Sequence, residues 1–307
     1  MQNTIKSSLT FTGQGLHSGH AVSVTLHPAA AESGIWFRRT DVDSEVGYIK
    51  AHWDAVNASQ LCTLLVNEHG VSLSTVEHIM AALAGCGVHN VMIEVDANEV
   101  PILDGSAAPF VEKILAAGIV AQNAPVRAIE VLRSVVVDNG RGSARLDPAQ
   151  EMSIEFTIDF DAAAIGRQNK VLKMANGAFI KELSDSRTFC LASDVDAMHA
   201  AGLAKGGTME NAVVVDGADV LSPGGLRHAD EAVRHKMLDA MGDLMLAGGP
   251  ILGRYTGIKS GHALTNLLLR KLFSDPENYR MITCDDAVSE NLPGSGIDSS
   301  DLLRSYS

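Results

Sequence analysis

After His78 the chain reads Ile79, Met80, Ala81, Ala82, Leu83 and Ala84 before Gly85-Cys86-Gly87 stops it. As a helix, this segment has no face to give to solvent, so the fold must enclose it on every side. The histidine that opens it is then buried as well. A buried imidazole needs a partner, and either a metal or a backbone carbonyl would serve. Just upstream, Ser74-Thr75-Val76-Glu77 has the spacing of a capping box, with Ser74 as N-cap and Glu77 at N3.

The surroundings supply layers to wrap that helix. Ala21 to Leu26 alternates apolar and polar, as does the stretch around Ile35-Trp36-Phe37; Val88 to Val95 reads as a strand and Ala107 to Ala117 as a second helix. Gln122-Asn123-Ala124-Pro125 reads as a linker, and strands then restart at Val126–Leu132, Ser134–Asp138 and Met152–Phe160. A long helix is predicted from about Asp230 to Leu246, stopped by Gly248-Gly249-Pro250. After it come a short strand, the loop Lys259-Ser260-Gly261-His262 and a last helix from about Ala263 to Phe273.

The two histidine-bearing helices echo each other. Each is followed by a glycine stop, a strand, a loop and a helix, and a shift of 157 residues lays His78 on His235. Identity between the halves is low, so a duplicated α+β unit is an expectation drawn from element order alone. A site between two such units could use both histidines.

Composition limits what the chain can do. Of 307 residues, 46% are hydrophobic and 20% charged, a balance suited to globular domains with a sizeable core. The net charge of −13 disfavours phosphate backbones and anionic membranes as the main partner. Cys62, Cys86, Cys190 and Cys284 lie far apart, which excludes a cysteine zinc finger and argues against a disulfide framework. The N-terminal stretch has no signal-like apolar run, and nothing approaches the ~18 apolar residues of a membrane span. A cytoplasmic soluble protein is expected.

His235, Asp239 and Asp243 recur every four residues and fall on one helix stripe. Such a stripe can present two ligands to one divalent ion, with a third from elsewhere. It can equally be the solvated face of a helix whose apolar side is Met237, Leu238, Met241, Leu244 and Met245. His262, in a glycine-containing loop, suits general acid–base work near neutral pH or a plain surface position.

Seven segments, taken in order, resemble the UDP-3-O-acyl-N-acetylglucosamine deacetylases of lipid A synthesis, the LpxC family. They are Gly15-Leu16-His17-Ser18-Gly19, Arg38-Arg39-Thr40-Asp41, Ser74-Thr75-Val76-Glu77-His78, Val100 to Ala107, Ser186-Arg187-Thr188-Phe189, Val233 to Asp239, and Lys259 to Leu264. Together they cover residues from about 10 to 270.

The resemblance implies an α+β fold of two similar domains, each a β-sheet packed with a pair of helices, with the active site at their interface. The implied boundaries are 1–124, then 125–275 with an insert at about 190–215, then a loosely ordered polar tail over 276–307. It implies Zn²⁺, with Fe²⁺ suited to the same set, held by His78, His235 and Asp239. Glu77 becomes the general base, His262 the general acid, Thr188 an oxyanion donor and Asp243 the carboxylate that orients His262. Lys236, Phe160, Phe189, Leu61, Cys62 and Lys259 become contacts to the UDP-sugar substrate, and the insert lines an apolar passage for its acyl chain. A monomer without nucleic-acid partners is expected. The chain departs from the family pattern at Cys190, where Gly is common, and at Asp185, where a basic residue is common.

Overall fold

The structure, a computed structural model, describes residues 1–297. Leu9–Gln14, Ala21–Pro28, Val91–Val95, Ile35–Arg39 and Tyr48–Lys50 lie side by side in that order as one sheet. Neighbours are antiparallel except Ile35–Arg39 and Val91–Val95, which are parallel. A parallel pair needs a long crossover, and the enclosed helix Glu77–Gly85 lies within it. Val24, Leu26, Phe37 and Ile93 share one core with Ile79 and Leu83 of that helix and with Phe110 and Ile114 of the helix Ala108–Ala117.

The second half repeats this arrangement. Val135–Asp138, Ser143–Pro148, Ile251–Ile258, Ser153–Asp159 and Arg167–Lys173 are neighbours in the corresponding order. Again the parallel pair, Ser153–Asp159 with Ile251–Ile258, encloses a crossover that carries the histidine helix, here Glu231–Met245. The helix His262–Phe273 follows, as Ala108–Ala117 follows in the first half. The repeat inferred from element order is therefore present strand for strand, and His78 and His235 sit on equivalent helices.

Both halves carry an insert between the fourth strand and the histidine helix. The first is a small sheet of Val56–Asn57, Leu64–Val66 and Ser72–Ser74. The second pairs Phe189–Leu191 parallel to Val213–Asp216, with Asp219–Val220 closing the sheet and the helix Ala192–Ala200 forming the crossover. This second insert begins and ends slightly beyond the expected 190–215.

The tail departs from expectation. Tyr279–Thr283 forms an edge strand along Arg127–Val131, and Leu292 is buried against Val126, Ala128 and Leu252. Polar composition misled here because an edge strand is held by backbone pairing and can leave most of its side chains in water. Residues 298–307 of the expected tail lie outside the described residues. Among the described residues no helix is long and apolar enough to cross a membrane.

The histidine helices meet face to face. A Cβ at Gly242 would overlap the carbonyl oxygen of Glu77, so the glycine lets the Glu231 helix press against the first turn of the Glu77 helix. That close approach brings the ends of both repeats to one point.

Candidate metal centre

The capping box does not form. Ser74 ends a strand, its amide bonded to the Asn98 carbonyl and its hydroxyl to the same oxygen. Thr75 then takes a left-handed φ of 58°, and the helix begins at Glu77 without a side-chain cap. Strand pairing outcompetes the local cap, which frees the Glu77 carboxylate. Its Oε2 accepts the Thr63 amide at 3.0 Å instead.

His78, His235 and Asp239 converge, all buried, with one candidate ligand atom from each lying within 4.8 Å of the others. The stripe His235-Asp239-Asp243 is therefore no solvated face. His235 Nδ1 lies 2.9 Å from the Ser186 carbonyl. A carbonyl can only accept, so Nδ1 carries the proton and Nε2 presents its lone pair. That lone pair faces Asp239 Oδ1 at 3.3 Å. His78 Nε2 approaches the same oxygen at 3.6 Å, with the two imidazole rings edge to face at 5.0 Å. Burial holds the His235 pKa down to about 4, so the ring is neutral at pH 7. A neutral imidazole nitrogen and a carboxylate oxygen facing each other in a buried site are two acceptors without a donor between them, and a cation suits such a pair. Asp239's other oxygen meets Lys236 Nζ at 2.8 Å. Burial works against its charge, yet His235 and Lys236 hold the Asp239 carboxyl well below the usual range.

A second set of groups runs alongside. Thr63 Oγ1 donates to Asp243 Oδ1 at 2.6 Å, and Asp243 Oδ2 lies 2.8 Å from His262 Nδ1. His262 Nε2 is in turn 3.8 Å from Glu77 Oε1. Burial would lower the His262 pKa, but Asp243 and Glu77 outweigh it and lift it to about 9. Burial also raises the Glu77 carboxyl above its ordinary value, against the opposing pull of His262 and His78. Both pKa values are thus displaced upward, and two titratable groups so perturbed and held close in a buried site are suited to exchanging protons.

The second insert adds a wall. Thr188 is two residues beyond Ser186, whose carbonyl orients His235, and its amide bonds to the Gly105 carbonyl of the first half. Phe189 stands edge-on to His235 at 6.3 Å, and Phe160 packs on Phe189 at 5.4 Å. Lys259 follows the strand Ile251–Ile258 and pairs with Asp159 at 2.8 Å, beside Phe160. From the first insert, Cys62 is buried next to Thr63, its thiol pushed by burial up to about 11, while Leu61 is exposed with a left-handed φ of 66°. Thus Glu77, Asp243, His262, Phe189 and Cys62 adjoin the cluster of His78, His235 and Asp239, Lys236 is engaged by Asp239, and Phe160 stands one layer further out against Phe189. The two departures lie apart from the ligands: Asp185 pairs with His228 at 2.8 Å, and Cys190 lies in the strand Phe189–Leu191.

Three contributors were not apparent from the sequence. Thr63 ties Glu77 to Asp243 through its amide and hydroxyl, and nothing in its neighbours marks it. Ser186 acts through a carbonyl that any residue would supply. His17 is buried with its Nε2 unpartnered among the described residues, and burial together with the nearby His262 lowers its pKa despite Glu99. Its presence in the segment Gly15 to Gly19 was the only available signal.

Comparison with known proteins bears on this site. A family model described as LpxC, UDP-3-O-acyl N-acetylglycosamine deacetylase, matches residues 2–274. The UDP-3-O-acyl-N-acetylglucosamine deacetylase of Pasteurella multocida is 47% identical over 287 residues, covering 93% of this chain and 94% of its own. The protein of that name from Phenylobacterium zucineum is 47% identical over 289 residues, covering 94% and 99%. That of Haemophilus influenzae strain 86-028NP is 45% identical over 287 residues, covering 93% and 94%.

Proposed function

The chain belongs to the UDP-3-O-acyl-N-acetylglucosamine deacetylase family, and from that premise we propose how this site works. The reaction is hydrolysis of the N-acetyl group of UDP-3-O-((3R)-3-hydroxyacyl)-N-acetylglucosamine to the free amine and acetate, an early committed step of lipid A synthesis. One observation carries the reading. A buried cluster of His78, His235 and Asp239, in which the His235 Nε2 lone pair faces Asp239 Oδ1, lies beside an acid–base couple, Glu77 and His262, that is 3.8 Å across.

His78, His235 and Asp239 fit a divalent ion, Zn²⁺ first and Fe²⁺ as an alternative for the same His₂Asp set. Such an ion supplies Lewis acidity toward water and the amide carbonyl. The chain's own residues do the rest. Ser186 and Lys236 fix the orientation of His235 and Asp239. Glu77, buried and more basic than an ordinary carboxylate, takes the proton of the attacking water at Oε1. Its Oε2 stays anchored on the Thr63 amide, so the carboxylate does not swing away. Thr188 donates to the oxygen on which charge develops. His262, protonated at rest because Asp243 and Glu77 face it, gives its Nε2 proton to the departing amine. Without that proton the leaving group would be an amide anion.

Lys259, Phe160 and Phe189 line the UDP-sugar side, with Leu61 and Cys62 opposite, and Lys236 both orients Asp239 and reaches toward substrate. The second insert receives the acyl chain. Residues 1–124 and 125–275 act as the two domains of this site, and the enzyme is a cytoplasmic monomer. The purified chain, assayed for metal content and for acetate release from UDP-3-O-acyl-N-acetylglucosamine, decides the matter. Stoichiometric metal with release of acetate is expected. Stoichiometric metal with no acetate from this substrate would overturn the assignment in favour of another N-acyl compound.

A further inference from the structure

We propose that Glu99 is a positioning residue that sets how the site grips its acyl-bearing substrate, an inference that rests on the function proposed above. Glu99 is 1% exposed, and its hydrogen bonds run to His17, Ser18 and Thr75. Oε1 accepts the His17 amide at 2.8 Å and the Thr75 hydroxyl at 3.0 Å, and Oε2 accepts the Ser18 amide at 2.8 Å. One side chain therefore holds two segments that lie far apart in sequence. Thr75 is the left-handed residue two positions before the helix Glu77–Gly85 begins. The segment Leu16 to Ser18 carries the buried His17 beside His262.

The clamp extends into the second insert. The Gly206 amide bonds to the Leu16 carbonyl at 3.0 Å and the Lys205 amide to the His17 carbonyl at 3.3 Å. The fit is backbone against backbone. A Cβ at Gly206 would overlap the Gly15 carbonyl oxygen, so only glycine lets the loop seat there. The insert that receives the acyl chain is thus docked on a loop whose own position is fixed by Glu99. The carboxylate suits this role for a simple reason. It offers acceptors only, and all three of its partners are donors. Glutamine has the same shape but must turn an NH₂ toward one of the two amides.

The prediction for Glu99→Gln is specific to that geometry. For a long-chain 3-hydroxyacyl substrate, KM rises about tenfold or more while kcat stays within about threefold. For an analogue with a short acyl group, kcat/KM changes little. In Glu99→Gln the amides of His17, Ser18, Lys205 and Gly206 exchange with deuterium at least tenfold faster, while those of Val91–Val95 keep their protection. Gly206→Ala, which leaves Glu99 intact, gives the same selectivity change. Equal loss on both substrates, or a fall in kcat alone, would overturn the proposal, because general damage does not depend on acyl length. Unchanged exchange at the four amides would overturn it too. A wild-type chain with no deacetylase activity would remove the proposed function, and the exchange measurement would still decide the Glu99 clamp.

Discussion

Asp243→Asn tests the acid–base couple most directly. The change keeps the shape. The asparagine oxygen can take the place of Oδ2, 2.8 Å from His262 Nδ1, and its NH₂ can face the Thr63 hydroxyl. What is lost is the negative charge. A hydrogen bond to a charged group is worth about 1.5–3 kcal/mol, and each unit of pKa about 1.4 kcal/mol. Burial alone would depress the His262 pKa, and Asp243 is the first of the groups that raise it to about 9. Removing that charge should lower the value by about 1–2 units. His262 must be protonated to act as the acid, so activity is present below its pKa and lost as pH rises through it. The alkaline limb of kcat/KM against pH should therefore move to lower pH by about 1–2 units in Asp243→Asn. A divalent ion bound nearby lowers the limb in both proteins, so the difference between the two profiles is the quantity to read. If the alkaline limb stays in place while the rate falls uniformly, Asp243 does not set the charge of His262, and the proposed acid is wrong.

Glu77→Gln should retain the metal and the fold but lose about 10²–10⁴ in kcat, since glutamine can still accept the Thr63 amide yet cannot take a proton; elemental analysis and steady-state rates check this. His78→Ala and Asp239→Ala should both lose most bound metal. Asp239→Ala should also melt at a lower temperature, because it leaves Lys236 without its buried partner, a loss of about 3 kcal/mol or more by calorimetry. Away from the site, His89 accepts the Asn3 amide on Nδ1 and is held by burial at a pKa of about 4. The unfolded chain takes up that proton first, near its ordinary 6.5. His89 therefore contributes stability that is complete above about pH 6.5 and lost as pH falls toward 4, up to about 3 kcal/mol. In urea titrations across that range, His89→Gln should show a shallower loss than wild type.

The site's legibility differed sharply from residue to residue. Patterns that are local and periodic could be read directly. The enclosed run Ile79–Ala84 must be buried wherever it packs, and four-residue spacing puts His235, Asp239 and Asp243 on one stripe in any helix. Glycine stops and alternation gave the strands that flank both helices, and their repeated order gave the two-unit architecture now seen strand for strand. The same local rules failed where a non-local partner won. Ser74 had a cap's spacing but was taken by strand pairing with Leu64 and a bridge to Glu99, and the polar tail was ordered by the free edge of Arg127–Val131.

The sequence by itself thus determined that the helix after His78 is buried and which side chains share a stripe on the second helix, and its element order pointed to two similar units. Only the tertiary structure decided that His78 comes within 3.6 Å of Asp239 across 161 residues of chain, that Thr63 joins Glu77 to Asp243, and that Glu99 binds the loops around them. The physical reason is range. Helix periodicity and turn propensity act over a few residues, and composition shows them. The meeting of the two histidine helices depends on Gly242 letting one backbone press against another, and no pattern within either helix encodes which surface it will press against.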